Sequence, residues 1–287
     1  MNKKILIFIV FFLLFSFFKS HIAIASEYAS EVFSKIRTES LDAPESFGSY
    51  SKGCLSGGRY LPSHKFHYDA LKPSRNRFWG HPNLINLIED TSQKVYSAYG
   101  NGLLIGDLAM PRGGPMPYGH KSHQNGLDVD VYYQKKPNYE LQRFELETYQ
   151  PKSMLSRDQT SIQNNLWSEY HYQLLKIFAD DERVTRIFVN PVIKKNLCTQ
   201  AIEKNESSWL KKIRPWGGHY KHFHVRLECP EDSKACKNQP PVQDSDGCGA
   251  ELDTWLKKEK IYESNSTKIK KWILLSDLPK SCNRLIE

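Results

Sequence analysis

The chain of 287 residues carries 40 Lys and Arg against 32 Asp and Glu, is 39% hydrophobic and 12% aromatic, and has a mean hydropathy of −0.58. That balance excludes a disordered chain and a polytopic membrane protein. One segment stands apart. Lys3 and Lys4 precede the 14-residue apolar stretch Ile5 to Phe18, and Ala23-Ile24-Ala25 follows. This is the pattern of a secretory signal peptide over residues 1–25, cleaved before Ser26. A membrane span needs ~20 apolar residues, and nothing later in the chain reaches that, so no stable membrane insertion is expected once the leader is gone. Without Lys3, Lys4 and Lys19 the remaining 37 basic and 32 acidic side chains give only +5, and no nucleic-acid motif accompanies them.

No Gly/Ser or Pro linker and no internal repeat divides residues 26–287, which read as a single domain. In chain order, Pro82 to Ala98 predicts a helix, with Leu84, Leu87, Ile88, Thr91 and Val95 at helical spacing before Gly100. Leu103-Leu104-Ile105 follows as a buried strand. Met110 to Gly119, with three Pro and three Gly, is a loop. Leu127 to Val131 alternates, which predicts a strand with Asp128 and Asp130 on one face and Leu127, Val129 and Val131 on the other. Gln134 to Asn164 reads as a polar surface excursion, Leu166 to Phe178 as a helix and Val184 to Val189 as a strand. His222 to Leu227 alternates again, placing His222 and His224 on one face. Lys257 to Lys271 is charged and expected at the surface.

Six cysteines in an exported chain imply disulfides, and no Cys-x-x-Cys pair suggests a thiolate metal site. Local spacing pairs Cys229 with Cys236 and leaves the other four open. Chemistry concentrates in two histidine clusters, His120 and His123 with Asp130 downstream, and His219 with His222 and His224. Two strands presenting His and carboxylate on facing positions can assemble a mixed site of the sort zinc favours. His64, His67, His81 and His171 read as ordinary surface or packing residues.

Gly106-Asp107, Pro111-Arg112-Gly113-Gly114-Pro115-Met116, the segment Gly119 to Asp130 and His222-x-His224-Val225-Arg226-Leu227 resemble the penicillin-insensitive murein endopeptidases. Ser74 to Arg77, Trp79 to Pro82, Arg186 to Pro191, Arg214-Pro215-Trp216 and Asp246 to Leu252 extend the resemblance from about Cys54 to Cys282. The wider group includes lysostaphin-type peptidases, zinc D-alanyl-D-alanine carboxypeptidases and the sonic hedgehog signalling domain. It implies an α+β fold, a small antiparallel sheet carrying the zinc site, flanked by helices and long loops and tied by disulfides. It further implies Zn2+ held by His123, Asp130 and His224, with His222 and His219 as catalytic residues. The disulfides it implies are Cys54 with Cys282, Cys198 with Cys248 and Cys229 with Cys236. The family's second, weaker zinc would use His120 and Asp158, but its third ligand falls on Ser161, and two ligands make a poor site. Asp128 is expected to support a ligating His rather than bind metal.

The activity implied is periplasmic hydrolysis of peptidoglycan cross-links at the D-alanyl to meso-diaminopimelyl bond, indifferent to β-lactams because no serine nucleophile is involved. The partner implied is cross-linked muropeptide, with no nucleic acid and with homodimerisation left open. A zinc D-alanyl carboxypeptidase and a non-catalytic zinc-containing wall-binding module are the alternatives.

Overall fold

A computed structural model of the chain describes residues 27–262 and 273–286. The leader read over residues 1–25 lies outside the described residues, as do residues 263–271 of the charged C-terminal stretch. Helix α1 (Ala29–Phe33) precedes a hairpin of β1 (Glu45–Ser49) and β2 (Lys52–Ser56). Short strands β3 (Arg59–Tyr60), β4 (His64–Lys65), β5 (Tyr68–Ala70) and β6 (Trp79–Gly80) lead into α2 (Pro82–Tyr99). Then come β7 (Leu103–Ile105), β8 (Asp128–Lys135), α3 (Arg143–Thr148), α4 (Glu169–Ala179), β9 (Val184–Val189), α5 (Pro191–Lys204), β10 (Ile213–Pro215), β11 (His222–Leu227) and α6 (Ala250–Tyr262). Among the described residues no helix is long and apolar enough to cross a membrane.

Local chemistry accounts for the helix ends. At α2, the His81 side chain accepts from the Asn83 N–H, Pro82 occupies the first turn, and Gly100 at φ 65° closes the helix onto the Tyr96 carbonyl. Helix α4 starts three residues later than the apolar spacing suggests, because Ser168 and His171 cap each other reciprocally. Trp167 stays outside the helix and stacks on the His171 ring at 5.0 Å.

Seven strands form the main sheet in the order β10-β9-β11-β8-β7-β5-β4. Its centre, β9-β11-β8-β7, is antiparallel, while β10 with β9 and β5 with β7 add parallel pairs on either side. Those pairings join elements distant in sequence and leave no local signal. One sheet face packs Ile105, Val129, Val131, Ile187, Phe223 and Val225 against Leu84, Ile88, Leu174, Phe178 and Leu197 of the helices. The excursion from Gln134 to Asn164 is not purely superficial. It carries the end of β8 and helix α3, and Leu141 and Leu146 form a small core with Leu71 and Leu104. Met154 and Leu155 of the same excursion join the main core, and with Leu141 and Leu146 they are scattered through a polar stretch with no periodic pattern, which is why composition alone hides them.

Three disulfides, Cys54–Cys282, Cys198–Cys248 and Cys229–Cys236, span 228, 50 and 7 residues. The first fastens the C-terminal segment to the β1-β2 hairpin, where Leu278 and Leu285 pack against Phe33 and Phe47.

Candidate metal centre

Strands β8 and β11 pair so that Asp130 lies directly opposite His224 and Asp128 opposite Arg226. Because side chains alternate, sending Val129, Val131, Phe223 and Val225 into the helix-facing core turns Asp128, Asp130, His222, His224 and Arg226 to the other face. His123 arrives from the preceding loop with φ 65°. Its backbone N–H donates to Asp128 Oδ2 at 2.9 Å, and its neighbours are pinned: Gln124 N–H to the Tyr50 carbonyl, and Ser46 Oγ to the Asn125 carbonyl. A non-glycine residue in the left-handed region is tolerated where surrounding bonds determine it, as they do here.

Three donor atoms meet at this point. His123 Nε2 lies 3.1 Å from His224 Nδ1 and 3.4 Å from Asp130 Oδ1, and His224 Nδ1 lies 3.3 Å from Asp130 Oδ1. Metal–ligand bonds of ~2.0–2.1 Å in tetrahedral array put ligands about 3.3 Å apart, so this nearly equilateral triangle is one face of such a tetrahedron. Asp130 Oδ1 is buried and has no hydrogen-bond partner. An orphaned carboxylate oxygen between two imidazole nitrogens fits a small divalent cation. The residues present therefore suit a metal.

Asp128 orders the ring behind the triangle. Its Oδ1 takes His224 Nε2 at 2.9 Å and Arg226 Nε at 2.7 Å, and its Oδ2 takes Arg226 Nη2 at 3.1 Å. The bond to Nε2 leaves Nδ1 of His224 facing Asp130, as a ligating imidazole requires.

The remaining histidines surround the triangle. His222 is about a quarter exposed, with Nε2 3.5 Å from Asp130 Oδ2. The His219 ring lies 5.1 Å from that of His222, and its Nδ1, 2.9 Å from the Gly217 carbonyl, is held as the donor. His120, His123 and Asp130 offer ligand atoms within 4.8 Å of one another, yet His120 Nε2 is bonded to Asp107 Oδ2 at 3.0 Å. Asp158 does not join it. Its carboxylate is taken up by Ser156 Oγ, Thr160 Oγ1 and the Thr160 N–H in an exposed turn. His81 and His171 cap helices.

Electrostatics favour positive charge here. Burial opposes ionisation of Asp130, but His222, His123 and His120 outweigh it and hold the carboxyl well below its usual range. Arg226 and His224 do the same for Asp128. Burial and the neighbouring His120 push His123 down to about 4, and burial with His222 pushes His219 down to about 3, so both rings are neutral with a lone pair to offer. On His224 burial is overcome by Asp128 and Asp130, which raise it.

Comparison with known proteins gives a consistent assignment. Residues 46–287 match the family model described as penicillin-insensitive murein endopeptidase. The chain belongs to that family. The penicillin-insensitive murein endopeptidases of Escherichia coli strain K12, Shigella flexneri serotype 5b and Yersinia enterocolitica serotype O:8 are each 39% identical over 266 residues, 93% of this chain and 94% of theirs. Three residues at the site went without a role in the sequence reading. Asp107 holds His120 and accepts from Arg75 and Arg77, Arg226 clamps Asp128, and Phe188 lies 5.3 Å from the His224 ring. The alternation of β11 carried a signal for Arg226, while Asp107 and Phe188 lie in Gly106-Asp107 and Arg186 to Pro191, segments that carry the family resemblance but give no role by local pattern.

Proposed function

We propose that this chain is a zinc endopeptidase of the periplasm that cleaves the D-alanyl to meso-diaminopimelyl cross-link of peptidoglycan, with residues 26–287 as one catalytic domain. The observation that carries the metal is the triangle of His123 Nε2, His224 Nδ1 and Asp130 Oδ1, with separations of 3.1 to 3.4 Å. Family membership and the relatives' names support the substrate. Held by these three residues, zinc supplies Lewis acidity toward the scissile carbonyl and makes water a nucleophile near neutral pH. The chain's own groups do the rest.

Asp128 fixes the His224 ring, and Arg226 balances the buried Asp128 charge. His222, on the accessible side, has its ring pushed down by burial despite the opposing pull of Asp130, so it is neutral at neutral pH and receives or returns a proton at Nε2. With Nδ1–H tied to Gly217, His219 presents its Nε2 lone pair as the second candidate for that role. His120 and Asp158 have structural parts, since they share no site.

The test is incubation of the leader-free chain with cross-linked dimeric muropeptides, with and without chelator. Conversion to monomers, abolished by chelator and restored by about one equivalent of zinc, is expected. Undiminished turnover after complete metal removal would sink the reading. Release of free D-alanine from uncross-linked stems would identify a carboxypeptidase, and binding without turnover a wall-binding module.

A further inference from the structure

The face that carries the metal centre does not end at His224. Across the sheet His224 pairs with Phe188 of β9, and Phe188 pairs with Arg214 of β10, while Arg226 pairs with Arg186. Side chains in register on neighbouring strands share a face, and two strand spacings put the Arg214 backbone about 10 Å from that of His224. Phe188 bridges the interval, its ring 5.3 Å from His224 and 5.8 Å from the half-exposed Trp216. Beyond it opens a cleft of about 360 Å³ lined by Arg186, Arg214, Pro241, Val242, Gln243 and Glu251.

The two guanidiniums in this cleft are incompletely matched. Arg214 pairs through Nη2 with Glu251, but its Nη1 is buried without a hydrogen-bond partner. Arg186 donates to the Pro240 carbonyl, and no ion pair to it is found among the described residues. The neighbouring cation Arg226 is already taken by Asp128. Buried donors left unmade are expensive, and a planar guanidinium matches a carboxylate in geometry as well as charge. Arg and an aromatic floor leading from a metal centre suit an extended anionic peptide.

We propose that the Arg186–Arg214 cleft is a subsite for a free carboxylate of the stem peptide, setting the register of the chain whose bond is cut at the metal centre. This rests on the murein endopeptidase reading. The carboxylates concerned are those that murein stems carry along their length, on the glutamyl and diaminopimelyl residues, and about 10 Å is the span of three extended residues.

The experiment compares dimeric muropeptides with all stem carboxylates free, with the glutamyl carboxylate amidated, and with the diaminopimelyl carboxylate amidated. The wild-type chain should show KM raised about 10- to 100-fold by one of the amidations, with kcat within about twofold. Arg186→Gln should raise KM for the free dimer by a similar factor and lose the discrimination, and Arg186→Lys should recover part of both. Arg186 is chosen because Arg214 also anchors Glu251 of α6; unchanged thermal unfolding of the variants shows that the fold is intact. Equal KM for all three dimers, or full discrimination retained by Arg186→Gln, overturns the subsite. If no dimer is cleaved, the murein reading fails by itself. Calorimetric binding of free and amidated monomeric muropeptides then decides the subsite, supporting it if amidation weakens binding at least tenfold in wild type and not in Arg186→Gln, and overturning it otherwise.

Discussion

His224 faces two carboxylates with one ring, Asp130 at Nδ1 and Asp128 at Nε2. Replacing it by Ala removes one of three donors, so zinc content and turnover should fall together, as metal analysis beside a cleavage assay would read. His222→Ala should behave differently. Its Nε2 faces Asp130 Oδ2 from outside the triangle, so the variant should keep zinc and lose on the order of 10² to 10⁴ in kcat. A His222→Ala chain that binds zinc and works at the normal rate would pass the role to His219. Asp128→Asn leaves the donors in place but takes the carboxylate from Arg226, both residues being buried. Zinc affinity measured by chelator competition should drop about 10- to 100-fold, and folding stability should fall by about 3–5 kcal/mol because a buried guanidinium loses its counter-charge.

At the scale of elements, the start of α4 makes stability depend on pH. His171 is nearly inaccessible, its Nδ1 accepts from the Ser168 N–H, and burial with the nearby Lys135 pushes it down to about 4. The unfolded chain, with an ordinary value near 6.5, binds more protons between those limits, so this residue's contribution is complete above about pH 6.5 and is lost as pH falls toward 4. Denaturant titrations at pH 7 and pH 4.5 should show His171→Gln losing less stability on acidification than wild type, by up to about 3 kcal/mol. An identical loss in both proteins would contradict it. The loop before β8 has its own requirement. Gly113 sits at φ 67°, and a Cβ there would drive into the Gln124 carbonyl oxygen beside His123. Gly113→Ala should therefore destabilise the chain by about 2–4 kcal/mol in urea unfolding, since neither backbone can yield cheaply.

For the whole molecule, the Cys54–Cys282 bridge matters most among the disulfides, because it closes 228 residues of chain where Cys229–Cys236 closes 7. In the chain-entropy account the longer loop is worth about 5 kcal/mol and the shorter about 2 kcal/mol. Cys54→Ala with Cys282→Ala should lower unfolding stability more than Cys229→Ala with Cys236→Ala, a ranking that two denaturation curves would check.

The sequence by itself determined the pieces with a local period or a strong cap. Strands Leu103–Ile105, Val184–Val189 and His222–Leu227 stand where alternation or apolar runs put them, and α2 fills Pro82 to Tyr99 between its proline and its glycine. It also named the histidines and carboxylates that the β8-β11 register gathers, because alternation places same-face residues without any knowledge of the partner strand. Tertiary structure decided what depends on distant chain segments. Neither the parallel additions of β10 and β5 nor the small core under α3 has a sequence-local period. Asp107 meets His120 across 13 residues because the connection from β7 to β8 folds back on itself, and Arg186 and Arg214 share a cleft across 28 because the sheet pairs β9 with β10. Periodicity tells which face a residue takes; pairing between remote strands tells which other residues it meets there.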